Sequence, residues 1–532
     1  MASKSAAEIV ANITQGYTFD TPAIALGAAL VEDQVYKDAQ VRLPLAMMNR
    51  HGLVAGATGT GKTVTLHMIA EQLSTAGVPV FMADIKGDLS GLATPGTAND
   101  KLTARTQSLG QEWAAKAFPV EFLALGGDGN GVPVRASITS FGPILLSRVL
   151  QLNETQESSL QLIFHYADTQ GLELYDLKDL RAVIQFLTSD DGKAALAELG
   201  GLSKATAGVI LRELITLEAQ GMTKFFGMPE FDTAELIRTA PDGRGVITCL
   251  ELPNVQDKPM LFSTFLMWLL ADLFRDLPEV GDQDKPKLVF FLDEAHLLFK
   301  DATKAFLAAI TQTVRLIRSK GVGIFFVTQT PKDVPSDVLA QLANRVQHAL
   351  RAFTPDDAKA LKATVSTFPV SDYDLEKTLT SAGIGEAVVT VMNEKGAPTP
   401  VALTRLRAPE SVMGASAEDV VKSTVAASPL LTKYGTEVDP ISAYEKLQNK
   451  AAPPTGDSVG DPVPPMPAPP VPIPPPPAPM PQQQGGSLGA DVAGALGGIL
   501  GGGLQSMVRS MGTNLGRNIM RDIFGTTSRR RR

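Results

Sequence analysis

The sequence predicts an α/β fold built around a mainly parallel β-sheet. The first indication is a strand–loop–helix–strand unit, in which HGLVAG leads into GATGTGKT, a helical stripe follows, and VPVFMADIKGD is typical of a second buried strand. The second indication lies after residue 245, where apolar strand-like runs alternate with helical patterns as far as EAVVTVM. Alternation of this kind indicates βαβ units, in which helices cover both faces of a parallel sheet.

The composition narrows the class of protein. The chain has 532 residues, a net charge of −8 and one cysteine, Cys249. This length allows two or three domains at roughly 100–200 residues each. The acidic balance argues against a surface coated with basic charge, but it leaves room for a local basic channel. A single cysteine excludes an internal disulfide, and the N-terminus lacks the basic and apolar regions of a signal peptide, so we expect a cytoplasmic protein.

One segment, Pro259 to Phe274, is hydrophobic enough to raise the question of a membrane span. It contains Asp272 and is shorter than the roughly 20 residues that a spanning helix needs. We therefore predict a buried helix and no integral membrane segment.

Composition and periodicity divide the chain into an interrupted α/β core and flanking segments. The proline density of residues 453–481 favours polyproline II or disorder over a packed core. The predicted parts are a small N-terminal cap (1–50), the core (51–140 and 237–432), a helical insertion (141–236), a disordered Pro/Gly-rich linker (433–503), and an amphipathic helix with a basic tail (504–532).

GATGTGKT matches the phosphate-binding motif GxxxxGK[ST] between a strand and a helix. In this motif backbone N–H groups surround the phosphates, and the helix N-terminus adds a partial positive charge. Lys62 is expected to reach the β- and γ-phosphates, and the Thr63 hydroxyl to bind Mg²⁺. The predicted nucleotide-binding residues are Gly56, Ala57, Thr58, Gly59, Thr60, Gly61, Lys62 and Thr63.

A pair of acidic residues completes the predicted site. In LVFFLDEAH an apolar strand delivers Asp293 and Glu294 to the carboxyl end of the sheet, where open α/β folds bind their ligands. Asp293 is expected to help hold Mg²⁺. Glu294 is expected to be the base that polarises the attacking water, because hydrolysis needs a positioned acceptor beside the metal.

Three further residues are candidates for catalysis. The next strand ends in VTQT, and Gln329 at its tip can sense the γ-phosphate. The helix before this strand carries Arg315 and Arg318, whose spacing puts them on one helical face. An arginine supplied to a neighbouring subunit would stabilise transition-state charge. For either arginine alone, a solvated basic face is an equally good interpretation.

Three other kinds of nucleotide enzyme fit less well. DIKG, Asp84 to Gly87, matches the DxxG of GTPases, but the chain has no guanine-reading Asn-Lys-x-Asp. A small-molecule kinase would leave the strand that ends at Asp293 unexplained. DEAH also occurs in one helicase class, but here the box lies too far from the loop and leaves no room for a second motor lobe.

Taken in order, GATGTGKT, DIKGD, LDEAH, RLIRSKGVGIFFVTQ and LANRVQHALR resemble the HerA/FtsK superfamily of ATP-driven DNA motors, closest to the HerA-like bacterial YjgR branch. The resemblance implies a RecA-like (ASCE) P-loop ATPase that uses ATP and Mg²⁺. It matches Arg318 to the arginine that acts in trans and Asp84 to an acidic position near the nucleotide. It also places Arg345 where a phosphate-responsive residue is often found.

Two functions follow from these features. The first is an oligomeric motor, as in a hexameric ring, that couples ATP hydrolysis to DNA translocation or remodelling through loops 87–110, 126–135 and 331–336. HerA itself has a larger N-terminal β-barrel that helps to assemble its hexamer, and residues 1–50 are short for such a barrel. The second is an ATP-dependent switch or assembly factor that engages a protein partner through the Pro-rich linker or the C-terminal helix.

Overall fold

One large β-sheet organises the protein. The computed structural model describes residues 4–196, 200–252, 259–281, 283–300, 302 and 304–451. The twelve strands of the sheet are β1 (Ala23–Val31), β2 (Gln34–Pro44), β3 (Gly52–Ala55), β4 (Val80–Asp84), β5 (Val120–Leu125), β6 (Val132–Val134), β7 (Ile247–Glu251), β8 (Leu288–Leu292), β9 (Val322–Thr328), β10 (Asn344–His348), β11 (Glu386–Thr390) and β12 (Ala402–Leu406).

The strands lie in the order β2-β1-β12-β11-β10-β3-β9-β8-β4-β7-β5-β6. All neighbours from β10 to β6 pair in parallel. The strands from β10 back to β2 pair antiparallel. The predicted α/β fold with a mainly parallel sheet is therefore confirmed.

Helices cover the sheet and build a separate layer beside it. They are α1 (Ala6–Gly16), α2 (Lys62–Thr75), α3 (Asp100–Leu109), α4 (Ile138–Val149), α5 (Glu154–Thr169), α6 (Leu177–Thr188), α7 (Asp190–Ala195), α8 (Lys204–Ala219), α9 (Pro259–Asp276), α10 (His296–Phe299), α11 (Lys304–Ile317), α12 (Ser336–Leu339), α13 (Pro355–Val365), α14 (Leu375–Ser381), α15 (Glu418–Ala427), α16 (Pro429–Tyr434) and α17 (Ala443–Ala451).

The central strands are apolar along their whole length because both of their faces are covered. Every residue of β8 (LVFFL) and of β9 (VGIFFVT) is buried. Across these strands the rings of Phe291 and Phe325 pack with centroids 5.3 Å apart. Unbroken apolar runs of this kind distinguish parallel strands from the alternating strands of half-exposed sheets.

The hydrophobic segment that begins at Pro259 is a buried helix, as predicted. Phe262, Phe265 and Trp268 of α9 are each at most 1% exposed. The Trp268 ring meets Phe225 edge-on, with centroids 5.8 Å apart. None of the helices in the described ranges has the length and hydrophobicity to cross a membrane.

Helices α4 to α8 occupy residues 138–219 with the gap at 197–199, in the part of the chain where a helical insertion (141–236) is predicted. Each helix start is marked by a polar cap: Asn153 and Asp176, for example, form capping boxes at α5 and α6. The chain then returns through two short 3₁₀ helices to β7 in the sheet.

The N-terminal residues, for which the sequence predicts a small cap (1–50), contribute two strands to the sheet. Strands β1 and β2 extend the sheet, with β1 antiparallel to β12. The Tyr17 hydroxyl after α1 donates hydrogen bonds to the carbonyls of Val389 and Pro400. The sequence showed weak strand signals here but not that these strands join the main sheet, because their pairing partner, β12, lies almost 400 residues away in the chain.

The packed chain also extends beyond residue 433, where the linker was predicted to begin. Tyr434 is fully buried, with its ring 5.1 Å from that of Phe231, and its carbonyl accepts a hydrogen bond from Arg135. Ser442 bonds to Asp179 of the helical insertion. The boundary therefore moves to at least Leu447. The proline-rich stretch and the helix predicted at 504–532 lie outside the described residues.

Candidate active site

The glycine-rich loop joins β3 to α2 at the carboxyl end of the parallel strands. Gly59 and Gly61 have φ values of +79° and +110°, which L-residues with a side chain rarely adopt. A Cβ on Gly59 would meet no atom within 4 Å. The loop thus turns an open concave side toward solvent, with the first turn of α2 at its base.

Neighbouring strands hold the loop in this shape. The Ala57 N–H donates to the Ala349 carbonyl at 2.8 Å, just after β10. The Gly385 N–H, just before β11, donates to the Thr60 carbonyl at 3.0 Å. Tertiary contacts therefore hold the loop on its β10 side.

Lys62, the first residue of α2, lies across the loop. Its side chain is largely buried, and its Nζ donates to the Gly56 carbonyl at 2.7 Å. Burial lowers its pKa, while the charges of Glu294 and Asp293 act in the opposite direction. Thr63 follows at the second position of the helix and is partly buried. The contacts of Lys62 with phosphate and of Thr63 with Mg²⁺ stay predictions from the motif.

Asp293 and Glu294 follow β8 at the same edge of the sheet, and both are almost completely buried. Burial, and then the neighbouring charge of Glu294, raise the pKa of Asp293 to about 6. Glu294 has a φ of +45°, a left-handed conformation that is uncommon for residues other than glycine. Such strain is often found at functional positions.

Lys86 is a member of the site that the sequence did not reveal. Its Nζ forms an ion pair with Glu294 Oε1. Glu294 Oε2 lies 3.2 Å from His296 Nδ1 and has no hydrogen-bond partner among the described residues. Burial raises the pKa of Glu294, but the Lys86 ammonium and the His296 and Lys62 charges outweigh it, so the pKa lies below its usual value. Glu294 is thereby held as a carboxylate.

Asp84 ends β4 and shapes the loop that carries Lys86. Its Oδ1 accepts from the Gly87 N–H at 2.6 Å, and its Oδ2 accepts from the Leu89 N–H at 2.9 Å. Burial raises its pKa to about 7. Both carboxylate oxygens are engaged by backbone, so Asp84 organises residues 85–89, and its predicted contact with the nucleotide stays a prediction.

Gln329 follows β9, which lies between β3 and β8 in the sheet. The end of β9 touches both halves of the site: the Thr328 carbonyl accepts from the Gly56 N–H at 3.2 Å, and the Val327 carbonyl accepts from the Ala295 N–H at 2.8 Å. Gln329 itself is exposed. It stands between the loop and the acidic pair, as its position in the sequence suggested.

The three arginines lie at the opposite end of the strands. Arg318 begins a 3₁₀ helix directly before β9, and Arg315 is one turn earlier on α11; both are exposed. Arg345 is near the start of β10, where its guanidinium bonds to Thr367 and lies 5.9 Å from the Phe368 ring. None of the three lies beside the loop of its own chain.

Comparison with known families gives a direct result. The family model described as "Helicase HerA-like C-terminal" matches residues 30–532. The chain belongs to this HerA-like family. The resemblance drawn from the five sequence motifs is thereby confirmed.

A curated HerA-like relative is the DNA double-strand break repair helicase HerA of Saccharolobus solfataricus. It is 20% identical over 370 residues, which cover 68% of this chain and 66% of that protein. The chain thus spans slightly less than two thirds of this relative.

Solved structures with a similar course are the bacterial conjugative coupling protein TrwBdeltaN70 in its unbound form (TM-score 0.49, 16% identity, 76% of this chain and 95% of that chain), the plasmid coupling protein TrwB in complex with ADP and Mg²⁺ (0.47, 18%, 74% and 97%) and VirB4 of Thermoanaerobacter pseudethanolicus (0.45, 15%, 73% and 97%).

His348 is a second residue of this HerA-like site that the sequence did not reveal. It ends β10 behind the loop, is fully buried, and its Nε2 lies 3.0 Å from Thr65 Oγ1 of α2. Burial, and then the Lys62 charge, lower its pKa to about 4. The neutral imidazole thus packs beneath a lysine without adding charge. An isolated histidine at a strand end carries no signal for this contact.

Proposed function

We propose that this HerA-like protein hydrolyses ATP with Mg²⁺ and works as an oligomeric motor on DNA. The observation that carries the proposal is the meeting of three features at one edge of the sheet. These are the glycine-rich loop with Lys62, the buried pair Asp293–Glu294, and strand β9, which lies between them and is followed by Gln329. Together they supply a phosphate cradle, a metal ligand and a base.

The chain's own groups fit a triphosphate with Mg²⁺. The open side of the loop at Gly59 and the first turn of α2 present backbone N–H groups and a partial positive charge to an anion. Thr63 and Asp293 would hold Mg²⁺, which would neutralise charge on the phosphates when bound. Burial and the Glu294 charge raise the pKa of the Asp293 carboxyl to about 6, and a nearby cation would favour its ionised form.

Glu294 is the group best placed to act on water. Its ion pair with Lys86 keeps it ionised despite its burial, so one oxygen is held and the other remains to accept a hydrogen bond. A carboxylate fixed in this way can orient a water for attack on the terminal phosphate. Its Oε2 receives no hydrogen bond from the described residues.

The arginines support an oligomer. Strand β9 separates Arg318 from Gln329, and its seven residues span about 20 Å at the usual rise of a strand. An arginine side chain cannot bridge that distance to the phosphates of its own loop. If Arg318 or Arg315 stabilises transition-state charge, it does so for a second copy of the chain.

The DNA part of the proposal rests on two observations. One is the HerA relative, a DNA repair helicase by name, and the other is the position of three segments of the chain. Segments 87–110, 126–135 and 331–336 follow β4, β5 and β9, so each begins at the edge that carries the nucleotide site. A motor needs its track close to the element that changes with the nucleotide. The YjgR branch and the cytoplasmic location remain predictions from the sequence.

Turnover of ATP by the purified chain tests the proposal. We expect Glu294→Gln to lower kcat about 10²–10⁴-fold, the usual contribution of a general base, and to leave ATP binding intact. Lys300→Gln, a surface lysine beyond the same strand, serves as the control and should leave kcat unchanged. Unchanged turnover in Glu294→Gln would remove this residue from the role of base.

The same preparation tests the motor. Native mass measurements with ATP, with and without duplex DNA, should show a closed oligomer, and DNA should raise turnover. Turnover that ignores every DNA, together with no DNA binding at low salt, would overturn the DNA motor. That result would favour an ATP-dependent switch acting on a protein partner.

A further inference from the structure

The proposed function assigns protein contacts to the phosphates and the metal ion. It assigns none to the nucleobase. The groups expected at the γ-phosphate, Glu294 and Gln329, follow β8 and β9, on one side of β3. A triphosphate whose terminal phosphate faces them must extend its nucleoside toward the other side. On that side lie β10 and β11.

A short turn before β11 stands next to the loop on this side. The Gly385 N–H bonds to the Thr60 carbonyl, and a Cβ on Gly61 would lie 3.3 Å from Gly385 N. Ile384, the preceding residue, therefore sits at the rim of the loop. Ile384 is 78% exposed, so it leaves apolar surface open to a ligand beside the loop.

The turn that carries Ile384 is rigid. The Glu386 N–H donates to the Gly383 carbonyl at 3.1 Å, and the Gly383 N–H donates back to Glu386 Oε2 at 2.8 Å. The Gly385 carbonyl accepts from Arg105 at 2.6 Å, and Arg405 holds Glu386 at 3.0 Å. Ile384 is thus presented to solvent by a turn fixed on both sides, which reduces the ordering entropy that a ligand must overcome.

An aromatic residue emerges from the neighbouring strand. Phe353 comes four residues after Ala349, the residue that bonds to the loop, and its side chain is 81% exposed. The Arg351 guanidinium lies 6.0 Å from the centre of its ring. The antiparallel β10–β11 register sets His348 opposite Ala387, so the segment that follows β10 and the segment that precedes β11 start from the same edge of the sheet.

We infer that Ile384 and Phe353 form the surface that binds the base of a purine nucleoside triphosphate, an inference that rests on the proposed function. Aromatic and aliphatic faces hold a base by stacking and by burial of apolar surface, without reading its edge. The occupant is the base itself because the loop fixes the phosphates and the acidic pair fixes their direction.

Inorganic tripolyphosphate provides the test, because it has the phosphates and lacks the nucleoside. Calorimetric titrations with Mg²⁺ present should show that the wild-type chain prefers ATP to tripolyphosphate. In the double variant Ile384→Ala/Phe353→Ala, ATP should bind about tenfold more weakly and tripolyphosphate equally well, since stacking on one side chain usually contributes this much.

Val370→Ala is the matched control. Val370 is fully exposed, but it follows the Thr367 and Phe368 that contact Arg345, at the amino end of β10. This variant should keep the wild-type preference for ATP. The double variant should unfold at the wild-type temperature, because neither side chain is buried in the protein.

Three results would overturn the inference. A double variant with the full preference for ATP shows that the base lies elsewhere. If the double variant keeps the full preference for ATP but shows an altered oligomer distribution in native mass measurements, the two residues belong to a contact between copies. A wild-type chain that binds neither ATP nor tripolyphosphate removes the nucleotide site itself, which separates failure of the proposed function from failure of the base surface.

Discussion

The two ends of the parallel strands use the same kinds of residue for opposite reasons. At the amino end of β3, Gly52 is needed for packing, since a Cβ there would lie 2.2 Å from the Phe325 ring. At the carboxyl end, Gly59 is needed for its conformation, with φ +79° and open space around it. Gly52 allows close packing in the core, and Gly59 allows the backbone to leave a surface free for a ligand.

Charged groups show the same contrast. At the carboxyl end Lys62, Asp293 and Glu294 are almost completely buried within one site. At the amino end Arg315 and Arg318 are exposed. Burial of charge is unfavourable unless partners or ligands compensate it. The protein therefore accepts this cost where the strands bring these three side chains together, and it leaves Arg315 and Arg318 exposed at the other end.

The largest effect is expected from replacing an arginine at the amino end, which tests whether that end acts on the nucleotide site of a second copy. Arg318→Ala should lower turnover about 10³-fold if its guanidinium serves the ATP of a second copy. Mixing this variant with the inactive Lys62→Ala should restore part of the activity, because one copy then contributes an intact loop and the other an intact arginine. Steady-state ATPase assays of the mixture against each variant alone measure this gain.

Arg315→Ala is the matched variant for this experiment, since the two arginines share a helical face. Recovery with Arg315→Ala in place of Arg318→Ala would assign the role to Arg315. A mixture no more active than the sum of its parts would show that neither arginine acts between copies.

Acid should destabilise the fold to the same extent through a buried histidine at each end of the strands. His51, just before β3 at the amino end, and His348, the last residue of β10 at the carboxyl end, are buried, and burial lowers the pKa of each from 6.5 to about 4. As the pH falls, the unfolded chain therefore binds protons at these two histidines, and the folded chain does not. Their contribution to the free energy of unfolding is complete above pH 6.5 and is lost as the pH falls toward 4. Between pH 6.5 and 5 each should reduce the free energy of unfolding by about 2 kcal/mol.

Urea unfolding at these two pH values checks the prediction. His51→Gln and His348→Gln should each reduce the loss on acidification, and the exposed His165→Gln should leave it unchanged. Equal losses in all three variants would mean that other groups cause the acid sensitivity.

The two glycines provide the smallest and most local comparison. Gly52→Ala should lower the free energy of unfolding by about 1–3 kcal/mol through overpacking, with the affinity for ATP retained. Gly59→Ala should lower it by about 1–2 kcal/mol through backbone strain and should also weaken ATP binding. Thermal unfolding together with nucleotide titration separates the two effects. Loss of ATP binding in Gly52→Ala alone would contradict the division of roles.

Most of the site could be predicted because its parts are local. A loop of fixed spacing between a strand and a helix, and an acidic pair directly after an apolar strand, need only neighbouring residues to be seen. Lys86 was visible in DIKGD but had no assigned partner, because its contact with Glu294 depends on the pairing of β4 with β8. The addition of β1 and β2 to the sheet depends in the same way on β12.

The sequence by itself determined the parallel α/β fold, the phosphate loop and the acidic pair, since periodicity and short motifs encode them. Only the tertiary structure decided that β1 and β2 extend the sheet next to β12, that Lys86 pairs with Glu294, and that Arg318 lies at the opposite end of β9 from its own loop. Strand order and long-range pairing arise from packing among segments far apart in the chain, and no local pattern records them.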